Sequence, residues 1–214
     1  MENEIIDPRD TIDPRETIDP RDTIDPLGRA VQELFGLSYL FPYQRLVVAN
    51  LIEAAEAAGI PIEWPGGGCA ELSALESVEA PETDRAALGR QLVILPTGAG
   101  KSLCFQLPAM LMAGPTLVIY PILSLMADQE RRLTEKGFMP VQLRGGQSTQ
   151  ERKAIWQKIR SGESKFIIAN PEVLQSPQVR KMLPELGIVH TVIDEAHWVK
   201  IDFLYLFFKV KITL

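Results

Sequence analysis

Leu95-Pro96-Thr97-Gly98-Ala99-Gly100-Lys101-Ser102 stands between an apolar run, QLVIL (91–95), and a run with helical spacing, SLCFQLPAMLM (102–112). Strand, glycine-rich turn and helix in that order form a phosphate cradle. Two glycines let the backbone curl so that successive N–H groups and the helix N-terminus face phosphate oxygens. In such a loop Thr97, Gly98, Ala99 and Gly100 line the anion, Lys101 reaches the outer phosphates and the Ser102 hydroxyl binds Mg²⁺. The general pattern with a glycine in its first position is not met, because that position is Leu95.

Short β-rich runs alternate with helical ones on the carboxyl-terminal side of this loop. QLVIL, a helix from Lys101, TLVIY (116–120), a helix from Ile122, VQLRG (141–145), a helix from Thr149, KFIIA (165–169) and IVHTVID (188–194) follow one another. Strands separated by helices of this length predict a parallel sheet with crossover helices on both faces, a three-layer α/β fold over residues 89–199. Ligands of such sheets sit at the carboxyl ends of the strands, where the loop at 95–102 falls.

The flanking regions differ in kind. Residues 6–25 repeat IDPRDT or IDPRET, with one isoleucine in six positions, too little apolar surface for a core, so residues 1–28 are expected to be a disordered tail. Residues 29–58 carry two helical patterns, the second ending before Gly59. Residues 59–88 contain Pro61, Pro65, Pro81 and three consecutive glycines, and predict an irregular acidic insertion with a short helix near 70–77. The net charge of −6 arises in the first 28 residues, which hold nine acids and three arginines, so total charge does not argue against a nucleic-acid partner. Cys69 and Cys104 lack the number and spacing of a disulfide framework or zinc site, which predicts free thiols in a reducing, cytoplasmic setting. No stretch approaches the roughly 18 apolar residues of a membrane span, and no membrane partner is expected.

A second chemical signal is Val192-Ile-Asp-Glu-Ala-His197, again at the end of an apolar run. Metal-assisted hydrolysis needs one carboxylate on the cation and a second group to activate water. Asp194 is the metal candidate beside Ser102, and Glu195 the candidate base.

Five segments, FGLSYLFPYQ (35–44), LPTGAGKSLCFQLPA (95–109), YPILSLMADQ (120–129), NPEVL (170–174) and VIDEAHWV (192–199), occur in the order of motifs 0, I, Ia, Ib and II of RecQ helicases. The chain resembles that family over residues 35–199, with an insertion before motif I, and the loop matches the helicase variant PTGxGKS. The resemblance implies a RecA-like lobe binding ATP and Mg²⁺, with Lys101, Asp194, Glu195 and His197 as catalytic residues. It implies that Gln44 recognises adenine, that Ser124, Gln129 and Asn170 meet phosphates of single-stranded DNA, and that His197 couples nucleotide to DNA. A bacterial member is expected to associate with the nucleoid. Two positions depart from the family pattern: Leu37 replaces the aromatic that stacks on adenine and Phe41 replaces an arginine, which leaves Tyr39 or Phe41 to stack. Arg131, Arg132 and Lys136 are read as a solvated helix face.

The match ends near Lys200, and the apolar segment 200–214 has no family counterpart. The expectation from sequence is therefore a lobe truncated after motif II, able to bind Mg·ATP and single-stranded DNA but not to unwind DNA by itself. A non-catalytic nucleotide- or partner-binding module and a non-functional gene fragment are the alternatives.

Overall fold

The structure is a computed structural model and describes residues 25–66, 89–96 and 98–196. The repeats of 1–24, most of the insertion (67–88), Thr97, and 197–214 with His197, the apolar segment and Cys69's neighbourhood lie outside the described residues.

Helix α1 (Pro26–Phe35) begins inside the segment read as a disordered tail. The last Asp-Pro of the repeat doubles as a helix start. Asp25 accepts a hydrogen bond from the Gly28 N–H at 2.8 Å and pairs with Arg45 at 2.9 Å, while Pro26 takes the first turn, where its missing N–H costs nothing. Helix α2 (Pro42–Ala57) follows, and Gly59 at φ 74° turns the chain away from its end. The start of the insertion is docked rather than irregular: Ile62 forms an antiparallel bridge with Met112, and the Glu63 N–H donates to Leu111 O at 2.6 Å.

The α/β body then runs α3 (Lys101–Leu111), β1 (Thr116–Ile119), α4 (Leu123–Glu135), β2 (Val141–Leu143), α5 (Thr149–Arg160), β3 (Phe166–Ala169), α6 (Pro171–Gln175), α7 (Pro177–Met182), a 3₁₀ turn (Leu183–Leu186) and β4 (His190–Ile193). The four strands are parallel, in the order β2-β3-β1-β4. Alternation along each strand divides the core in two. Leu117, Ile119, Ile167 and Ala169 pack with Trp156 and Ile159 of α5 and with Val173 and Val179 of α6 and α7. Val118, Tyr120, Phe166 and Ile168 face Phe105 and Ala109 of α3 and Met126 and Leu133 of α4. Helices α1 and α2 join α3 through a third cluster that includes Leu27, Val48, Ile52 and Leu107. The three-layer architecture is the one anticipated from the alternation of runs.

QLVIL (91–95) is a correction. It was expected as a strand, yet no strand is formed at 91–96, and Leu92 and Ile94 are each 83% exposed. A strand needs a ladder partner for its N–H and C=O groups as well as β-prone side chains. Among the described residues β4 pairs only with β1, and no strand lies beside 91–95.

Candidate nucleotide-binding site

The register of the sheet sets one row. Leu143 pairs with Ala169, and Ile119 pairs with both Ala169 and Ile193, so all four strands end level. The next residues, Arg144, Asn170, Tyr120 and Asp194, therefore emerge along one edge, as expected for ligand-bearing ends of a parallel sheet.

The glycine loop enters α3 on the same side. Gly98 (φ 85°) and Gly100 (φ 74°) adopt left-handed backbone, with Gly100 as the helix N-cap. A side chain at Gly100 meets a second obstacle, because a Cβ there would stand 2.5 Å from the Gln44 amide nitrogen. The first-turn N–H groups of α3, including those of Lys101 and Ser102, have no acceptor within the helix and point along its axis at the loop. Ala99 is half-buried between the two glycines, and Ser102 is half-buried at the helix start. The Lys101 ammonium donates to Leu95 O at 3.2 Å.

Asp194 follows β4 at the end of the row. Its N–H donates to Ile119 O at 3.0 Å and its carboxylate accepts from the Glu195 N–H at 2.9 Å. Burial raises the carboxyl above the ordinary range, opposed by the Glu195 hydrogen bond; the Glu195 charge raises it further and the Lys101 charge lowers it. Lys101 and Asp194 thus lie within electrostatic reach of each other. The buried Tyr120 hydroxyl is held far above its usual range, by desolvation first and by the Asp194 charge second. Glu195 turns the chain at φ 49°, a left-handed conformation that costs a non-glycine residue about 1–2 kcal/mol. An acidic side chain with a hydroxyl and an ammonium nearby suits a Mg²⁺–triphosphate, because hard cations take oxygen ligands and the ammonium neutralises outer phosphate charge.

Gln44 is placed at this loop but not as an open reader of a base. It is 3% exposed; its oxygen accepts from the Phe41 N–H at 3.0 Å, and its nitrogen donates to Ala99 O and Gly100 O, both at 3.3 Å. The amide ties α2 to the phosphate loop. Beside it Tyr43 donates its hydroxyl proton to Ala99 O at 3.0 Å, a contact that sequence reasoning missed although aromatics at 39, 41 and 43 recur at every second position.

The residues expected to meet DNA lie farther along the row. Ser124 is exposed in the first turn of α4 and Gln129 is half-buried on the same helix. Asn170 is 8% exposed and caps α6, accepting from the Val173 N–H at 3.4 Å while donating to Glu172 at 2.6 Å. A cavity of about 560 Å³ opens between the ends of β2 and β3, lined in part by Leu123, Arg144, Gly146, Arg152 and Asn170. Arg144 and Arg152 were not singled out from sequence; an arginine directly after a strand and before Gly-Gly was the available signal. Arg131 pairs with Asp128 and Glu135 on the solvent side, as read. Lys136 departs from that reading, because its ammonium donates to Gln106 at 3.1 Å and lies 5.2 Å over the Phe35 ring.

A glycine loop at a helix N-terminus and an acidic turn at a strand end make a candidate nucleotide site in a parallel α/β lobe. The chain belongs to the DEAD/DEAH box helicase family, whose profile matches residues 77–204. Within it the chain is RecQ-like. It is 40% identical over 108 residues to the ATP-dependent DNA helicase RecQ of Synechocystis, covering 50% of this chain and 23% of that protein. The probable ATP-dependent DNA helicase RecS of Bacillus subtilis is 42% identical over 107 residues, 50% of this chain and 21% of that one. The mouse ATP-dependent DNA helicase Q4 is 33% identical over 162 residues, 70% of this chain and 12% of that one. The chain therefore spans under a quarter of the length of these relatives.

Proposed function

We propose that this chain forms the nucleotide-binding lobe of a RecQ-like, ATP-dependent DNA helicase, taking Mg·ATP at the glycine loop and single-stranded DNA along the neighbouring strand ends. What supports the reading most is the glycine loop itself, where left-handed Gly98 and Gly100 lead directly into the N-terminus of α3 at Lys101 and Ser102. Main-chain N–H groups of the loop and of α3 orient the phosphates, joined by Thr97. Lys101, now on Leu95 O, would turn to the outer phosphates, and Ser102 and Asp194 would hold the cation. Bound Mg²⁺ would neutralise phosphate charge. Glu195 accepts the proton of the attacking water, and its turn directly after Asp194 sets it beside that ligand. By family resemblance His197 couples nucleotide to DNA, and Ser124, Gln129 and Asn170 meet backbone phosphates through side chains and helix-start N–H groups, contacts that position DNA without reading sequence. The family resemblance adds a 3′-to-5′ polarity and a setting in repair and recombination to this proposal.

The test is titration of a fluorescent Mg·ATP analogue into wild type, Lys101→Ala and Asp194→Asn, with ATP turnover followed with and without single-stranded DNA. Binding lost in Lys101→Ala, and lost only in the presence of Mg²⁺-dependent contacts in Asp194→Asn, supports the site. Equal affinity of all three proteins would remove it. Binding without DNA-stimulated turnover identifies a non-catalytic nucleotide module.

A further inference from the structure

The register of the sheet brings a further side chain to the acidic turn. Strands β1 and β4 are parallel with Ile119 opposite Ile193, and the ladder runs one residue past both of them. The Asp194 N–H donates to Ile119 O at 3.0 Å, and the Tyr120 N–H donates to Ala169 O at 2.9 Å. Opposed residues of such a ladder share a face, and side chains two positions on return to it. Val118 and Val192 are an opposed pair, and both belong to the cluster that holds Phe105 and Ala109 of α3, the helix beginning at the glycine loop. Tyr120 lies in that cluster too. Tyr120 and Asp194, two residues beyond the valines, are therefore the last opposed pair on the α3 face of the sheet.

Tyr120 is 1% exposed, and among the described residues its hydroxyl makes no hydrogen bond. A tyrosine packed this deeply ordinarily finds a partner for its O–H. Phe166 fills its place in the same cluster with no polar atom at all. Desolvation first, and the Asp194 charge second, hold the Tyr120 hydroxyl protonated, so it remains a proton donor. The Asp194 carboxylate has one oxygen on the Glu195 N–H at 2.9 Å and keeps capacity for further donors. Donors around a carboxylate that ligates a metal set its orientation and how tightly the metal is held.

We propose that Tyr120 is a positioning residue of the nucleotide site, its hydroxyl donating to the Asp194 carboxylate in the Mg²⁺–nucleotide complex and so fixing which oxygen faces the cation. This rests on the glycine loop being a triphosphate site with Asp194 as a carboxylate on the metal. Tyr120 acts through Asp194 and touches neither nucleotide nor reacting water.

The experiment is Mg²⁺ titration of the full chain and of Tyr120→Phe at a fixed concentration of a fluorescent ATP analogue, repeated in EDTA, with the thermal midpoint of the nucleotide-free proteins measured alongside. Tyr120→Phe is expected to raise the Mg²⁺ concentration for half-saturation by about 10-fold. Affinity in EDTA is expected to stay within about 2-fold and the midpoint not to fall, because the ring and its packing are kept. Combined with Asp194→Asn, Tyr120→Phe should weaken Mg²⁺-dependent binding no further than Asp194→Asn alone. An unchanged Mg²⁺ requirement, an equal loss in Mg²⁺ and in EDTA, or a lowered midpoint makes Tyr120 a packing residue and overturns the proposal while Lys101-dependent binding stands. Absence of any Lys101-dependent binding overturns both readings.

Discussion

Replacing Gly100 by alanine tests whether the phosphate loop and helix α2 are mechanically one unit. The substitution carries two separable costs. A non-glycine residue at φ 74° costs about 1–2 kcal/mol of backbone strain. The new methyl group also displaces the Gln44 amide, 2.5 Å from its position, from two hydrogen bonds of 3.3 Å. Long bonds of this kind contribute about 0.5 kcal/mol each, at the low end for neutral pairs. Leaving the buried Gln44 amide nitrogen unsatisfied adds about 1 kcal/mol. Gly100→Ala is therefore expected to destabilise the chain by about 2–4 kcal/mol. In a Gln44→Ala background the amide is gone and only the strain of about 1–2 kcal/mol remains. Urea unfolding of the four proteins of this cycle, followed by far-UV circular dichroism and by tryptophan fluorescence, gives the coupling directly. Equal costs in both backgrounds, within about 0.5 kcal/mol, would refute the packing of Gln44 against Gly100.

Other expectations follow from single groups. His190 is buried beside Thr116 and its pKa is pushed down to about 4 by desolvation, so it is neutral in the fold and takes up a proton on unfolding. Its contribution is complete above the ordinary histidine value and is lost as pH falls toward 4; wild type should lose about 3 kcal/mol in that window, and His190→Gln should lack this slope in urea titrations at stepped pH. Asp194 has a raised pKa, so its ionisation opposes folding as pH rises through the folded value. Asp194→Asn should raise the thermal midpoint of the nucleotide-free protein at neutral pH and remove Mg²⁺-dependent nucleotide binding; a lowered midpoint would contradict the assignment of burial as the main cause. Leu92→Ala should change stability by less than about 0.5 kcal/mol because the side chain is 83% exposed, whereas Leu117→Ala in the sheet should cost about 2–5 kcal/mol. A large cost at Leu92 would mean that 91–95 packs as a strand.

Much of the fold was legible because its determinants are local. Four of the five β-rich runs after residue 90 became strands, and the helices expected from Lys101, Ile122 and Thr149 begin at Lys101, Leu123 and Thr149, since alternation, glycine turns and capping residues act over a few positions. Ser148 and Glu151, for example, form a reciprocal capping box that starts α5 at Thr149. The start of α1 was missed because Asp25-Pro26 repeats the dipeptide of the preceding segment, and what makes it a helix start is the cap on the Gly28 N–H and the pair with Arg45 on α2.

By itself the amino-acid sequence determined the class of the protein: a parallel α/β lobe, a glycine loop at a helix start, and an acidic turn at a strand end. Tertiary structure decided which of those pieces meet. The strand order β2-β3-β1-β4 sets Asp194 next to Tyr120 at the strand ends and opens the cavity lined by Arg144, Arg152 and Asn170, while the packing of α2 on the glycine loop closes the Gln44 amide and leaves Tyr39 and Phe41 open. The apolar run at 91–95 has the composition of a strand and lacks the neighbour that would make it one. Propensity and periodicity are properties of a few consecutive residues, whereas a ladder partner, a buried amide or an ion pair is contributed by a distant part of the chain.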